Sequence, residues 1–156
     1  MPGKRQTAEG GEGSVLEGLH RRQLPFRLRV RIPSTRKALN RTLPRVRRLA
    51  AQCGCSEERL TDLEIALVEA LANAIEHGNK GRRGQKVFLR CYGGPDVGVL
   101  VVVRDQGPGF DPEMVPDPRS ADRLTLRHGR GLLLMRELTD RVEYRKSGRE
   151  VLLRIS

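Results

Sequence analysis

The sequence predicts an α+β fold, a two-layer sandwich with the helices on one face of a mixed, largely antiparallel sheet. Its residue patterns follow one another as strand, helix, helix, two strands, a long loop, helix and two strands. The strand pairs are joined by the short turns GGPD and KSG, which are typical of antiparallel hairpins and not of the strand–helix–strand units of a parallel sheet. At 156 residues the chain has the size of about one domain with a single core.

The N-terminal part of the chain divides into a tail and the start of the domain. Residues 1–22 are rich in Gly, Arg and Glu and hold few large apolar groups, so we expect a disordered basic tail there and a domain over 23–156. From Phe26 to Ile32 apolar residues alternate with Arg. This alternation predicts a half-buried strand whose apolar side chains face the core.

The next segment carries an apolar and a basic stripe at helical spacing. The apolar stripe consists of Leu39, Leu43, Val46, Leu49 and Cys53, and the basic stripe of Lys37, Arg41, Arg45 and Arg48. Pro44 interrupts the pattern. Either one helix kinks at this proline, or the helix begins near Thr42 with Pro44 in its first turn, where the missing amide hydrogen costs little.

A second helix is predicted to begin after Ser56. Its hydroxyl can cap the first turn, and Glu57 and Glu58 place negative charge at the positive end of the helix dipole. Apolar residues continue at helical spacing through Ile75, and Gly78 predicts the end of the helix because glycine takes a left-handed conformation without strain. The remaining predicted elements are strands at about Lys86–Cys91 and Val97–Arg104, an irregular stretch from Gln106 to about Arg127, a helix at about Gly131–Leu138, and strands at Arg141–Arg145 and Glu150–Ile155.

The formal net charge of +11 raises the question of nucleic-acid binding, because clustered Lys and Arg bind phosphates by releasing counterions. The chain has few aromatic residues for stacking on bases and no helix-turn-helix, zinc-finger or RNA-binding motif. The basic stripe is therefore interpreted as a solvated surface or as a contact for an acidic protein partner. No direct contact with nucleic acid is expected.

Membrane and disulfide chemistry are not indicated by the sequence. No run of about 18 apolar residues occurs, and the N-terminus lacks the apolar stretch of a signal peptide, so we expect a cytoplasmic protein without membrane contact. The three cysteines, Cys53, Cys55 and Cys91, have neither the number of a disulfide framework nor the spacing of a zinc site. We expect them to be ordinary reduced thiols.

Three short motifs place polar or flexible residues where a ligand could bind. Glu69 and Asn73 lie one turn apart on the second helix, inside an otherwise apolar stretch, which suggests that this side lines a site. The sequence DQGPGF, from Asp105 to Phe110, follows a strand and allows the backbone to approach a ligand closely. The sequence GRGLLLM opens a helix at Gly129, where free backbone amides can bind phosphate. No P-loop or dinucleotide-binding fingerprint is present.

In this order the three motifs resemble the N-box, G1 box and G2 box of the GHKL (histidine-kinase-like) ATPase superfamily. The sequences NAIEHG, DQGPGFDP and GRGLLLMRELTD are similar to those of its anti-sigma-factor serine/threonine protein kinase branch. The resemblance covers roughly Leu24 to Ile155 and implies the Bergerat ATP-binding fold, with ATP and Mg²⁺ as ligands.

The resemblance also implies roles for single residues. Asn73 would be the magnesium ligand and Glu69 the general base, while Asp105 would accept a hydrogen bond from the exocyclic amine of adenine. In the loops, Gly107 and Gly109 would let the chain close over the nucleotide, and Gly129 and Gly131 would present amides to the phosphates. Arg127 is a candidate phosphate contact in the lid, and Arg130 is a weaker one. His77, at the end of the second helix, is expected to cap carbonyl groups and not to act in catalysis.

The implied function is that of an anti-sigma factor in bacterial partner switching. Such a kinase phosphorylates a small STAS-type antagonist protein and holds a sigma factor inactive, and the resemblance favours a homodimer. Two alternatives remain open at this point. One is an ATP-binding regulator that sequesters a partner without kinase activity, and the other is a nucleic-acid-binding domain that uses the basic stripe.

Overall fold

The computed structural model describes residues 23–114 and 127–156. The predicted tail at 1–22 and the middle of the long loop lie outside these residues. The described elements, in chain order, are β1 (Phe26–Pro33), α1 (Arg36–Gln52), α2 (Glu57–Asn73), a π-helical turn (Ala74–Gly78), β2 (Lys86–Gly94), β3 (Gly98–Arg104), a 3₁₀ turn (Pro112–Met114), α3 (Arg127–Leu138), β4 (Arg141–Arg145) and β5 (Glu150–Ile155).

The strands form one sheet in the order β1-β2-β3-β5-β4. All four pairings are antiparallel, so the described part of the sheet contains no parallel pair. The sequence had predicted a mixed, largely antiparallel sheet. The α+β sandwich itself is confirmed. Because β5 inserts between β3 and β4, the last hairpin lies directly beside the end of β3.

The three helices cover one face of the sheet and bury the main core. On α2, Leu63, Leu67 and Leu71 are each at most 1% exposed, and on β2 Val87 and Leu89 are fully buried. Burying one such side chain contributes about 1.5–3 kcal/mol. A smaller cluster on the other face contains Leu24, Tyr92, Leu100, Val102 and Leu152.

The strand β1 confirms the predicted alternation. Phe26, Leu28 and Val30 pack against the core and Ile32 is buried within it, whereas the arginines between them are exposed. The predicted bounds of β4 and β5 are also confirmed, and β2 is longer than predicted because Gly93 and Gly94 still pair with β3.

Pro44 lies inside α1. The helix starts after Thr35, whose hydroxyl accepts a hydrogen bond from the Ala38 amide at 3.2 Å, and it runs to Gln52. A start near Thr42 is therefore wrong. Pro44 is exposed, and it deprives the Asn40 carbonyl of its helical donor on the solvent side, where water can replace that donor.

The predicted cap of α2 is confirmed, because the Ser56 hydroxyl accepts from the Arg59 amide at 3.3 Å. The helix ends as predicted at Gly78, but its last turn is π-helical, and the Asn79 amide donates to the Ala74 carbonyl at 2.8 Å. A π-turn inserts one extra residue into the helix and is frequent at functional sites.

The helix α3 begins at Arg127, whereas the sequence predicted a start near Gly131. Glycine disfavours helix by about 1 kcal/mol relative to alanine, which is why the sequence predicts no helix before the second glycine. In the structure Leu132 and Met135 are 6% and 0% exposed. Their burial against α2 stabilises the helix in spite of the glycines.

The C-terminus is attached to the start of β4 and to α2 through Asp140. Its Oδ2 accepts from both the amide and the hydroxyl of Ser156 at 2.7 Å, and its Oδ1 accepts from Arg59. Burial raises the pKa of Asp140, but the hydrogen bonds from Ser156 and the charge of Arg59 outweigh burial and lower the pKa below its ordinary value.

Candidate functional site

A cavity of about 140 Å³ opens between the π-turn, the end of β3 and the β4–β5 turn. Its apolar walls are Ala70, Ala74, Val103 and Val151, and its polar groups include Asn73, His77, Asp105 and Arg149. Ligand pockets usually measure about 300–1,000 Å³. A cavity of this size therefore holds one flat group of a larger ligand, whose remainder would extend beyond it.

Asp105 is the buried acid of this cavity, at 8% exposure. Its Oδ1 accepts from the Gly107 amide at 2.7 Å, and its own amide donates to the Arg149 carbonyl at 3.0 Å. Its Oδ2 has no hydrogen-bond partner among the described residues. Burial raises the pKa of Asp105, opposed by the Gly107 amide and the charge of Arg149. A carboxylate oxygen that faces a cavity and has no protein partner favours a ligand that brings a hydrogen-bond donor.

Glycines hold the Asp105 loop tightly against its neighbours. A Cβ on Gly107 would lie 2.0 Å from the Gly78 carbonyl oxygen, and one on Gly109 would lie 2.1 Å from the Ser147 carbonyl oxygen. Gly109 also has a φ of 80°, which other residues adopt with strain. Both glycines are thus required for packing, and their predicted part in closing the loop over a nucleotide stays a prediction.

Glu69 and Asn73 lie together under α3. A Cβ on Gly131 would be 2.7 Å from Glu69 Oε2 and 3.6 Å from Asn73 Nδ2. Asn73 lines the cavity, whereas Glu69 lies outside it, against α3. The absence of a side chain at Gly131 therefore lets α3 cover the two polar residues of α2.

The early start of α3 affects the expected roles of Gly129 and Gly131, the two glycines of GRG. Gly129 lies in the first turn of α3, where the amides have no partner within the helix. Gly131 is two residues further on, where the regular pattern pairs its amide with the Arg127 carbonyl. Gly131 thus provides space next to Glu69, and the predicted phosphate contacts of Gly129 and Gly131 stay predictions. The side chain of Arg127 lies outside the described part of the structure, and Arg130 is exposed.

Sequence reasoning missed several cavity residues. Phe110 and Tyr144 pack edge to face with ring centroids 5.2 Å apart, and burial raises the pKa of Tyr144 to about 12. Tyr144 and Arg149 belong to the last hairpin, which carries no motif, and only the pairing of β5 with β3 brings them to Asp105. The position of Phe110 directly after DQGPG was the available signal. His77 is exposed and lines the cavity, so it is closer to the site than a capping role implies.

The sequence profile of the histidine kinase-like ATPase domain matches residues 32–155. This match includes every described element of the cavity. The chain belongs to the histidine kinase-like ATPase domain family.

Members with similar sequences are named serine-protein kinase RsbW. The chain is 31% identical to the protein of Staphylococcus epidermidis over 63% of its own length and 66% of that relative. It is 33% identical to the protein of Bacillus pumilus, with 61% and 63% covered, and 31% identical to that of Bacillus subtilis, with 60% and 62% covered. The matched segment thus spans slightly less than two thirds of each relative.

The donors at Asn73 fit a magnesium ion that is held mainly by phosphates. Among the described residues no group of three or more His, Cys, Asp or Glu side chains could form a metal cage. Mg²⁺ usually keeps several waters and binds one or two protein oxygens together with the phosphates of a substrate. The amide oxygen of Asn73, which lines the cavity, is a suitable donor of this kind.

Two further features lie apart from the cavity. The basic stripe of α1 is exposed along its whole length. Cys53 and Cys91 are buried free thiols, and burial raises their pKa to about 11 and about 12. Within the described residues, no helix is long and apolar enough to cross a membrane.

Proposed function

We propose that this chain is an ATP-dependent serine/threonine protein kinase that acts as an anti-sigma factor in partner switching. Its protein substrate would be a small STAS-type antagonist, and its second partner a sigma factor. The proposal is supported by the names of its relatives and by a cavity that is lined by both Asp105 and Asn73. Because sigma factors act on transcription, the proposal also places the protein in the cytoplasm.

Asp105 would select adenine at the closed end of the site. Its unpartnered Oδ2 accepts a hydrogen bond from the exocyclic amine of adenine. Guanine carries a carbonyl oxygen at the same ring position, and two acceptors that face each other repel. The cavity is large enough for one flat base, with Phe110 and Tyr144 at its side. ATP is therefore favoured over GTP.

Phosphate transfer would take place at the end of the site where α3 begins. A serine or threonine oxygen of the antagonist attacks the γ-phosphorus, the bond to the β-phosphate oxygen breaks, and ADP leaves. Glu69 takes the proton of the attacking hydroxyl, and Asn73 contributes an oxygen to Mg²⁺, which neutralises phosphate charge. The free amides of the first turn of α3, including that of Gly129, lie at the positive end of the helix dipole and favour bound phosphate.

The observation that carries the proposal is the shared position of Glu69 and Asn73 beneath Gly131, at the first turns of α3. The test is transfer of labelled γ-phosphate to a candidate antagonist. Glu69→Gln should keep ATP binding and lose transfer, a step to which general bases contribute about 10²–10⁴-fold. Glu58→Gln is the matched control, because Glu58 is an exposed acid on the same helix, and it should transfer normally. Transfer by Glu69→Gln at the wild-type rate would show that Glu69 is not the base.

A second candidate function is favoured by one observation. Glu69 lies outside the cavity and against α3, which suits a protein that binds ATP and sequesters a partner without transferring phosphate. The same assay separates the two, because this candidate predicts no labelled antagonist even with wild-type protein. We also propose that the chain forms a homodimer, which sedimentation equilibrium measures directly.

A further inference from the structure

Asn79, directly after the π-turn, is a fully buried polar residue with 0% exposure. Its Nδ2 donates to the Ser34 hydroxyl at 2.9 Å and to the Lys86 carbonyl at 3.0 Å. Its Oδ1 accepts from the backbone amide of Gln106 at 2.7 Å. A buried amide is stable only when its hydrogen bonds are made, and these bonds tie three separate segments of the chain to one side chain.

The bond to Gln106 acts on Asp105, because the Gln106 amide and the Asp105 carbonyl belong to one peptide group. The side chain of Gln106 is also attached to β2, since its Oε1 accepts from the Lys86 amide at 2.7 Å. The next amide along the chain, that of Gly107, then binds Asp105 Oδ1. Asn79 therefore fixes the peptide group that follows Asp105. The orientation of the Asp105 side chain and its hydrogen bond to the Gly107 amide both depend on this peptide group.

The residue before Asn79 fixes the same carboxylate from the other side. A Cβ on Gly78 would lie 2.3 Å from Asp105 Cγ and 2.5 Å from Oδ2. The backbone at Gly78 thus forms the wall against which the carboxylate rests. The dipeptide Gly78–Asn79 sets both the space for Asp105 and the orientation of its peptide.

We propose that Asn79 is a positioning residue for base recognition, which acts through the Gln106 peptide to aim Oδ2 of Asp105 into the cavity. The inference rests on the proposed ATP binding and adds the residue that gives this binding its preference for adenine. Without the Asn79 bond, the Asp105 loop can rotate, so its carboxylate no longer distinguishes an amine from a carbonyl oxygen on the base.

The test compares the affinities of the chain for ATP and for inosine triphosphate, by calorimetry in the presence of Mg²⁺. Inosine triphosphate has the same sugar and phosphates and carries a carbonyl oxygen in place of the exocyclic amine. In Asn79→Ala the preference for ATP should fall about tenfold, while binding of inosine triphosphate stays nearly unchanged. Asn79→Ser, whose hydroxyl is one bond shorter than the amide oxygen, gives the same result if the alanine variant folds poorly.

Ser34→Ala is the matched control, because it removes one partner of Asn79 and leaves the bond to Gln106 in place. It should lower the melting temperature and keep the wild-type preference. The inference is overturned if the Asn79 variants weaken both nucleotides equally, which is the signature of a merely structural role, or if they keep the wild-type ratio. Equal binding of both nucleotides by the wild-type chain would instead overturn adenine recognition by Asp105, and the inference with it.

Discussion

Asp105→Asn tests the recognition of adenine at a single atom. Asparagine has the shape of aspartate and can still accept from the Gly107 amide through Oδ1, the 2.7 Å bond that holds the loop. It then directs an NH₂ group to the place of Oδ2, where the exocyclic amine of adenine is also a donor. The variant loses a hydrogen bond to a charged group, worth about 1.5–3 kcal/mol, so ATP should bind about 10- to 150-fold more weakly.

The same substitution should not destabilise the protein. Burial raises the pKa of Asp105 in the folded state, so the ionised form is less favourable in the folded chain than in the unfolded chain. The protonated carboxyl stabilises the folded chain fully at a pH below the pKa that Asp105 has in the unfolded chain. This stabilisation is lost as the pH rises through the higher pKa that Asp105 has in the folded chain. At neutral pH the wild type therefore bears a cost that asparagine avoids, and the variant should melt at the same temperature or higher.

The assay is titration calorimetry with ATP and GTP, together with thermal unfolding at pH 7 and at acidic pH. Asp111→Asn is the control, because Asp111 is an exposed aspartate of the same loop that caps the Glu113 amide at 3.0 Å. The variant at 105 should lose ATP affinity and gain relative affinity for GTP, and the control should change neither. Wild-type ATP affinity in Asp105→Asn would refute adenine recognition by this carboxylate.

Three further predictions concern other parts of the chain. Gly107→Ala places a methyl group 2.0 Å from a carbonyl oxygen and should destabilise the fold by about 1–3 kcal/mol in urea unfolding; an unchanged midpoint would contradict the packing at this loop. The double variant Arg41→Glu and Arg45→Glu should bind an acidic protein partner more weakly and should bind ATP as the wild type does. Tight binding of the wild type to duplex DNA, with an affinity that falls steeply as salt is added, would instead favour a nucleic-acid function. Hydrogen bonds from Ser156 help to lower the pKa of Asp140 in the folded chain, so the ionised carboxylate stabilises the fold at neutral pH and this stabilisation is lost as the pH falls through the folded pKa. Asp140→Asn should therefore lower the melting temperature at pH 7, and in acid the melting temperatures of the variant and the wild type should become equal.

The parts of the fold that were predicted from sequence are those with a strong local pattern. The alternation of β1, the Ser56 cap and the bounds of the last hairpin each depend on residues close in sequence, and all three are confirmed. The start of α3 was misplaced because two glycines lower helix propensity, whereas the burial of Met135 against α2 decides the outcome. The choice between two starts of α1 was also beyond the sequence, since Pro44 is tolerated in either position.

The candidate site divides in the same way. Glu69, Asn73 and Asp105 could be proposed from the sequence because each belongs to a motif within a few residues, and the structure places Asn73 and Asp105 in the lining of the cavity. Tyr144 and Asn79 were not found, because their contacts join segments far apart in the chain: β5 pairs with β3, and one buried amide bonds to three separate segments. Such contacts depend on the register of the whole sheet, which no local pattern encodes.

Titration of the wild-type chain and of Asn73→Ala with ATP in the presence of Mg²⁺ is the most direct test of the nucleotide site. The wild type should bind ATP at a single saturable site, and binding should require Mg²⁺. In Asn73→Ala this binding should be lost while the fold, followed by circular dichroism, is retained. Absence of binding by the wild type, or equal affinity in the folded variant, would contradict the account.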